Sequence, residues 1–176
     1  MLAQPVLALA IAGCAGAGQA SVALPRKPVI QPAAGAADHS PGLRQQVIAA
    51  YSGYWRATSE AVNSGDARRA RRILAGYAPA AAIPGLIAVL RRDWAMHAVD
   101  DGSPVLHIIS VTVGKDSATV HDCVDLSHAG LKDERTGRAF PLSFGSARAN
   151  YYASLVRQGR SWLVSNIVPV VAPCDP

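Results

Sequence analysis

The chain is 176 residues long and half of its positions are apolar, but 33 of them are alanine and only ten residues are aromatic. The larger apolar side chains suffice for one modest core, which excludes an intrinsically disordered chain. No apolar run approaches the roughly 18 to 20 residues of a spanning helix, which excludes a polytopic membrane protein. The net charge of +5, with 17 basic residues against 12 acidic ones, biases the surface mildly toward anions. Aromatic-interleaved basic stripes, zinc-finger spacings and basic recognition helices are all missing, so nucleic acid is not an expected partner.

Residues 5 to 12 form an apolar run of eight, too short to span a bilayer but suited to the core of an export signal. It leads into Ile11-Ala12-Gly13-Cys14. This resembles the lipobox of bacterial lipoproteins, an aliphatic residue and two small ones before a cysteine. The resemblance implies a signal peptide over residues 1–13, cleavage before Cys14 and diacylglycerol on its thiol. Met1-Leu2-Ala3-Gln4 lacks the basic residues such signals usually carry, which is expected if the true start lies upstream. Ordinary secretion with cleavage after Ala20 or Ala23 is the alternative. Sixteen of the 28 residues from 15 to 42 are Ala, Gly or Pro, so residues 14–42 read as a tether spanning about 30 Å as a coil.

The folded domain is expected over residues 43–176. Ser40-Pro41 reads as an N-cap followed by a first-turn proline. Val47, Tyr51, Tyr54, Trp55, Thr58, Ala61 and Val62 then recur at helical spacing. Gly65 ends this helix and Asp66 caps a second one, in which Ala70, Ile73, Leu74 and Tyr77 face inward while Arg68, Arg69, Arg71 and Arg72 face out. A third helix is built on Ile83, Leu86, Ile87, Leu90 and Trp94. Alternating β-branched runs over 104–113 and 117–126, and over 147–158 and 161–171, read as two hairpins. Three helices followed by an antiparallel sheet is α+β. The polar stretch 127–138 reads as a loop between strands, of the kind that often carries recognition.

The Gly65-Asp66 junction and the order of elements resemble the nuclear-transport-factor-2-like cone fold, in which helices pack into a strongly curved sheet. More narrowly, the stretch 51–55, the run Ala118-Thr119-Val120-His121-Asp122-Cys123-Val124-Asp125, the Thr136-Gly137 turn and the ending Trp162-Leu163-Val164-Ser165 with Cys174 are similar to uncharacterised actinobacterial envelope lipoproteins. The resemblance implies a disulfide between Cys123 and Cys174. By residue count alone these two could pair, closing a loop of about 50 residues, or stay as free thiols in a reducing compartment.

Cone folds host cyclases, isomerases and dehydratases as well as non-catalytic domains, so chemistry must come from the site. With an even loop at Lys115-Asp116, the inward face of the first hairpin would carry Val113, Val111, Ile109, His107 and Val105 beside Ala118, Val120, Asp122, Val124 and Leu126. His107 and Asp122 would then lie diagonally adjacent in an apolar wall. A carboxylate orienting an imidazole there is the arrangement of a general base. His121 and Asp125 share the other face but lack a third metal ligand. Phosphate loops, nucleophile elbows and zinc-protease motifs are missing. The resulting expectation is a non-catalytic binding or scaffold domain. It would be held at the outer face of the cytoplasmic membrane by lipid on Cys14, with a protein or small apolar ligand as partner and no cofactor or metal. The alternative is a cyclase- or isomerase-like enzyme using His107 and Asp122.

Overall fold

A computed structural model describes residues 41–141 and 148–170, with residues 172 and 174. The residues read as a signal peptide (1–13), Cys14 and the expected tether up to residue 40 lie outside the described residues. The first helix, α1 (Pro41–Asn63), is followed by α2 (Ala67–Leu74) and α3 (Ile83–Ala95). As the sequence predicts, the break between α1 and α2 is made by Gly65, in the left-handed region at φ 61°, where a side chain is disfavoured. Asp66 then caps α2, its carboxylate accepting from the Arg69 amide at 2.7 Å.

Four strands form one antiparallel sheet. They are β2 (Val105–Val113), β3 (Ser117–Asp125), β5 (Ala149–Gln158) and β6 (Ser161–Val170), in the order β2-β3-β5-β6. The two hairpins fall where the alternation places them. The second turns on Gly159 at φ 61°, and the Arg157 guanidinium lies 6.0 Å from the centre of the Trp162 ring directly across the ladder. The sheet register shifts between Ile108 and Ser110 on β2, and again opposite Ser154 and Leu155 on β6. Both bulges lie on the outer strands, where they increase twist and bend the sheet.

A second, two-stranded sheet pairs β1 (Ala98–Gly102) with β4 (Ala129–Asp133). This corrects the reading of residues 127–138 as a plain loop. The sequences AVDDG and AGLKD have neither the length nor the apolar alternation of an ordinary strand. Tertiary partners hold them instead. Lys132 Nζ meets Asp101 at 2.9 Å, the Asp100 amide donates to Asn63 Oδ1 at 2.8 Å, and the Glu134 amide donates to the His97 carbonyl at 2.9 Å.

The core has two parts. Val47 and Tyr51 of α1 pack on Val113, Ala118, Val120, Ala153, Leu155, Trp162 and Val164 of the large sheet. Ala61, Val62, Ala70, Leu74, Ile87 and Leu90 tie the three helices together. Gly53, in the middle of α1, faces the Tyr77 ring so closely that a Cβ would collide with it. That approach explains a residue that otherwise weakens a helix by about 1 kcal/mol.

Cys123 is fully buried on β3 and is joined to Cys174 by a disulfide whose Cα atoms lie 5.8 Å apart, 51 positions apart in the chain. On the same face Asn150, the cross-strand partner of Cys123, donates from Nδ2 to the Ala172 carbonyl at 3.0 Å. Its Oδ1 lies 2.9 Å from His121 Nε2. The His121 ring stacks on Tyr152 at 4.3 Å and 4°. Cross-linking so distant a pair restricts the unfolded chain by roughly 4 kcal/mol in the chain-entropy model. Urea unfolding of the oxidised protein is therefore expected to show about that much more stability than the Cys123→Ser/Cys174→Ser double variant. Equal midpoints for the two would show that the bridge adds no stability.

Candidate functional site

The expected His107 and Asp122 dyad depends on the register of the first hairpin, and the bulge at Ile109 changes it. Val113 still faces Ala118 and Val111 faces Val120, as expected. Beyond the bulge Ile108 faces Asp122 and His107 faces Cys123. Ile109, expected inside, is 44% exposed, while Ile108 and Leu106 pack on the core. Because strand side chains alternate between faces, His107 shares the disulfide face and Asp122 the inner one. The main-chain amide of His107 approaches the carboxylate, and its ring acts on Asp122 only as a nearby charge.

The inner side of Asp122 is occupied by aromatic groups. Tyr151 is its cross-strand neighbour on β5. Tyr51 and Trp55, one helical turn apart on α1, meet edge to face at 6.4 Å, and Trp55 meets Tyr151 in the same way at 5.6 Å. Asp122 has no exposed surface, and neither carboxylate oxygen makes a well-formed hydrogen bond; the Tyr51 hydroxyl and the Trp55 indole N–H are likewise buried without one. These groups sit just beyond ideal hydrogen-bonding geometry but close enough to act on one another. Burial raises the Asp122 pKa above its ordinary value, against smaller opposing contributions from the Tyr51 hydroxyl, the His107 amide and the charges of His107 and His121. Burial, followed by the charge of Asp122, likewise raises the pKa of Tyr51, whose hydroxyl keeps its proton at any physiological pH. The interior thus holds neutral phenols and a carboxyl biased toward its protonated form. It has polar atoms that can pair with a neutral group, but no poised base and imidazole pair.

Above this cluster the molecule opens. A cavity of about 530 Å³ is lined by Ser52, Trp55, Arg56, Ser59, Glu60, Asn63, Ser103, Pro104 and Leu106. A neighbouring one of about 210 Å³ shares Trp55, Ser59 and Pro104 and adds Thr58, Val62, Asp100, Leu126 and Leu131. Together they form a cleft along one side of α1. Asp100 in its wall has its pKa raised by burial, partly offset by the Ser59 hydroxyl. Tyr51 and Trp55 were legible only as part of a helical apolar stripe, Tyr151 only as one residue of an alternating strand, and Asp100 carried no signal. The spacing of four between Tyr51 and Trp55 was the available clue. Among the described residues no three His, Cys, Asp or Glu side chains gather as a metal site.

No family model matches the chain, and no curated protein matches it. Among solved structures, the intermembrane space region of chloroplast protein ARC6 superposes with a TM-score of 0.55 at 12% identity, over 73% of this chain and 97% of that one. A variant of the protein Rd1NTF2_05 aligns over 70% of this chain and 98% of that one, at 10% identity and a TM-score of only 0.37. At 12% identity the likeness to the ARC6 region is one of fold.

The raised Asp122 pKa has a defined sign in stability. The folded state holds its proton more tightly than the unfolded chain, so Asp122 lowers stability as pH rises above its unfolded pKa, about 4. Asp122→Asn removes that dependence. Its stability relative to wild type is expected to grow between pH 4 and neutrality, measured by urea unfolding across the range. A constant difference would show that Asp122 is not strained by burial.

Proposed function

We propose that this protein is an exported, lipid-anchored envelope protein whose nuclear-transport-factor-2-like domain is a non-catalytic binding module with its ligand cleft beside Trp55. The disulfide between Cys123 and Cys174 is the observation that carries the location, because such bridges persist in oxidising compartments and are rare in the cytosol. The lipobox at Ile11-Ala12-Gly13-Cys14 and the tether after it agree with that compartment. The structural neighbour from chloroplast protein ARC6 is itself an intermembrane space region, so this fold serves beside membranes elsewhere.

Binding rather than catalysis is supported by the inner cluster, where Asp122, Tyr51 and Tyr151 are biased toward their neutral forms and His107 lies on the other face of the sheet. The cleft is lined by Trp55, Val62, Leu126 and Leu131 together with Ser59, Thr58 and Asp100. Such a lining suits a small amphipathic molecule with an apolar body and one hydrogen-bonding end.

Intact-mass analysis of the full chain expressed in an actinobacterial host is expected to show loss of residues 1–13 and diacylglycerol on Cys14, with the protein in the membrane fraction. An unmodified Cys14 would remove the anchored reading. For the cleft, a neutral fluorescent amphiphile such as aminoanthracene is expected to bind and to lose at least tenfold in affinity on Ser59→Trp. Unchanged binding by that variant would place the ligand elsewhere.

A further inference from the structure

The second core cluster buries one face of α2 and of α3 through Ala70, Leu74, Ile87 and Leu90. The opposite faces are turned outward. On α2 they carry Arg68, Arg69, Arg71 and Arg72, all exposed, in an eight-residue helix with no acidic residue. On α3 they carry Arg91 and Arg92, also exposed. Among the described residues these six guanidinium groups make a single ion pair, Arg69 to Glu60 at 3.9 Å, with both side chains mostly in solvent. Asp66 is occupied in capping α2, and Asp93, next to Arg92 on α3, is partly buried.

Charge of this density on its own suits a solvated surface equally well. Two exposed apolar side chains point to a specific occupant. Val89 and Met96 are 55% and 49% exposed. The positions 89, 92 and 96 follow helical spacing, so Val89 and Met96, the residue that caps the C-terminal end of α3, flank Arg92 on one outward side. Guanidinium groups beside protruding aliphatic side chains match a phospholipid surface, where phosphates pair with Arg and the apolar tips enter the acyl boundary. The six side chains are all arginine rather than lysine, which favours paired hydrogen bonds to phosphate oxygens.

We infer that the outward faces of α2 and α3 dock onto an anionic phospholipid surface. The inference rests on the proposed location beside a membrane, but it does not need the lipid on Cys14. The 26 residues between Cys14 and the start of α1 at Pro41 would extend to at most about 90 Å. A helix the length of α1 measures about 35 Å, so the far end of α1, where α2 begins, can still reach the bilayer. Tethering by Cys14 would raise the effective concentration of the docking face, and docking would set how the cleft is presented.

The test separates the two claims by using the full chain with Cys14→Ser, which has no lipid, in sedimentation with vesicles. One set is half phosphatidylglycerol and half phosphatidylcholine, the other phosphatidylcholine alone. The N-terminal apolar run contributes equally to both, so the gain on the anionic vesicles reports the docking face. Removing four charges with R68Q/R69Q/R71Q/R72Q is expected to reduce that gain by roughly a hundredfold. R91Q/R92Q and V89S/M96S are each expected to lower it several-fold while retaining the wild-type thermal midpoint. Raising salt to about 0.5 M is expected to abolish the charge-dependent part. Equal binding to the two vesicle sets would overturn the inference, as would an unchanged gain in the four-arginine variant. A single-stranded oligonucleotide that displaces the protein from vesicles would also overturn it, by showing that the surface prefers nucleic acid.

Discussion

The packing of Tyr51 and Trp55 of α1 onto Asp122 and Tyr151 of the sheet is the contact on which the rest of the molecule depends. It sets three rings edge to face beside one carboxyl group, with Tyr51 and Asp122 fully buried and Trp55 and Tyr151 half-buried. The apolar area is strongly favourable to bury, at about 25 cal/mol per Å². The polar atoms carried in with it are not well paired, and that cost is offset by the surrounding core of Val47, Val120, Leu155 and Val164. The same packing sets the chemistry. Burial without a strong partner raises the Asp122 pKa, and burial raises those of the phenols beside it.

The two faces of the sheet are consequently specialised. The inner one is apolar except at Asp122 and is roofed by α1, with a cleft lined by Trp55 and Asp100 beside that helix. The other face is ordered by polar contacts and a covalent bond. There His121 stacks on Tyr152, Asn150 bridges His121 to the Ala172 carbonyl, and Cys174 is fixed to Cys123. The disulfide and the asparagine contact act on the same short stretch of chain, so loss of either weakens the hold of the other.

Much of this architecture was readable from residue patterns. The break at Gly65 and Asp66, the apolar periods of α1 and α3, and the four long strands all reflect strong local preferences that tertiary packing reinforces. The small sheet was not readable. Strands β1 and β4 are five residues each, carry acids and glycine, and are held by the Lys132–Asp101 pair between them and by Asn63 and the His97 carbonyl outside them. The site was half readable. Asp122 was singled out as the one acid in an apolar wall, but its companion was misplaced.

Periodicity and composition by themselves determined the class of fold, the three helices and the two hairpins. These follow from interactions between residues close together in the chain. Tertiary structure alone decided which groups meet Asp122. A single bulged residue at Ile109 reverses the facing of every side chain on the N-terminal side of it in β2, because strand side chains alternate with a period of two. That one-residue shift separates His107 from Asp122 and leaves α1 to supply the neighbours. No local pattern in the sequence marks where such a bulge falls, since it is set by how the whole strand fits between its neighbour and the core.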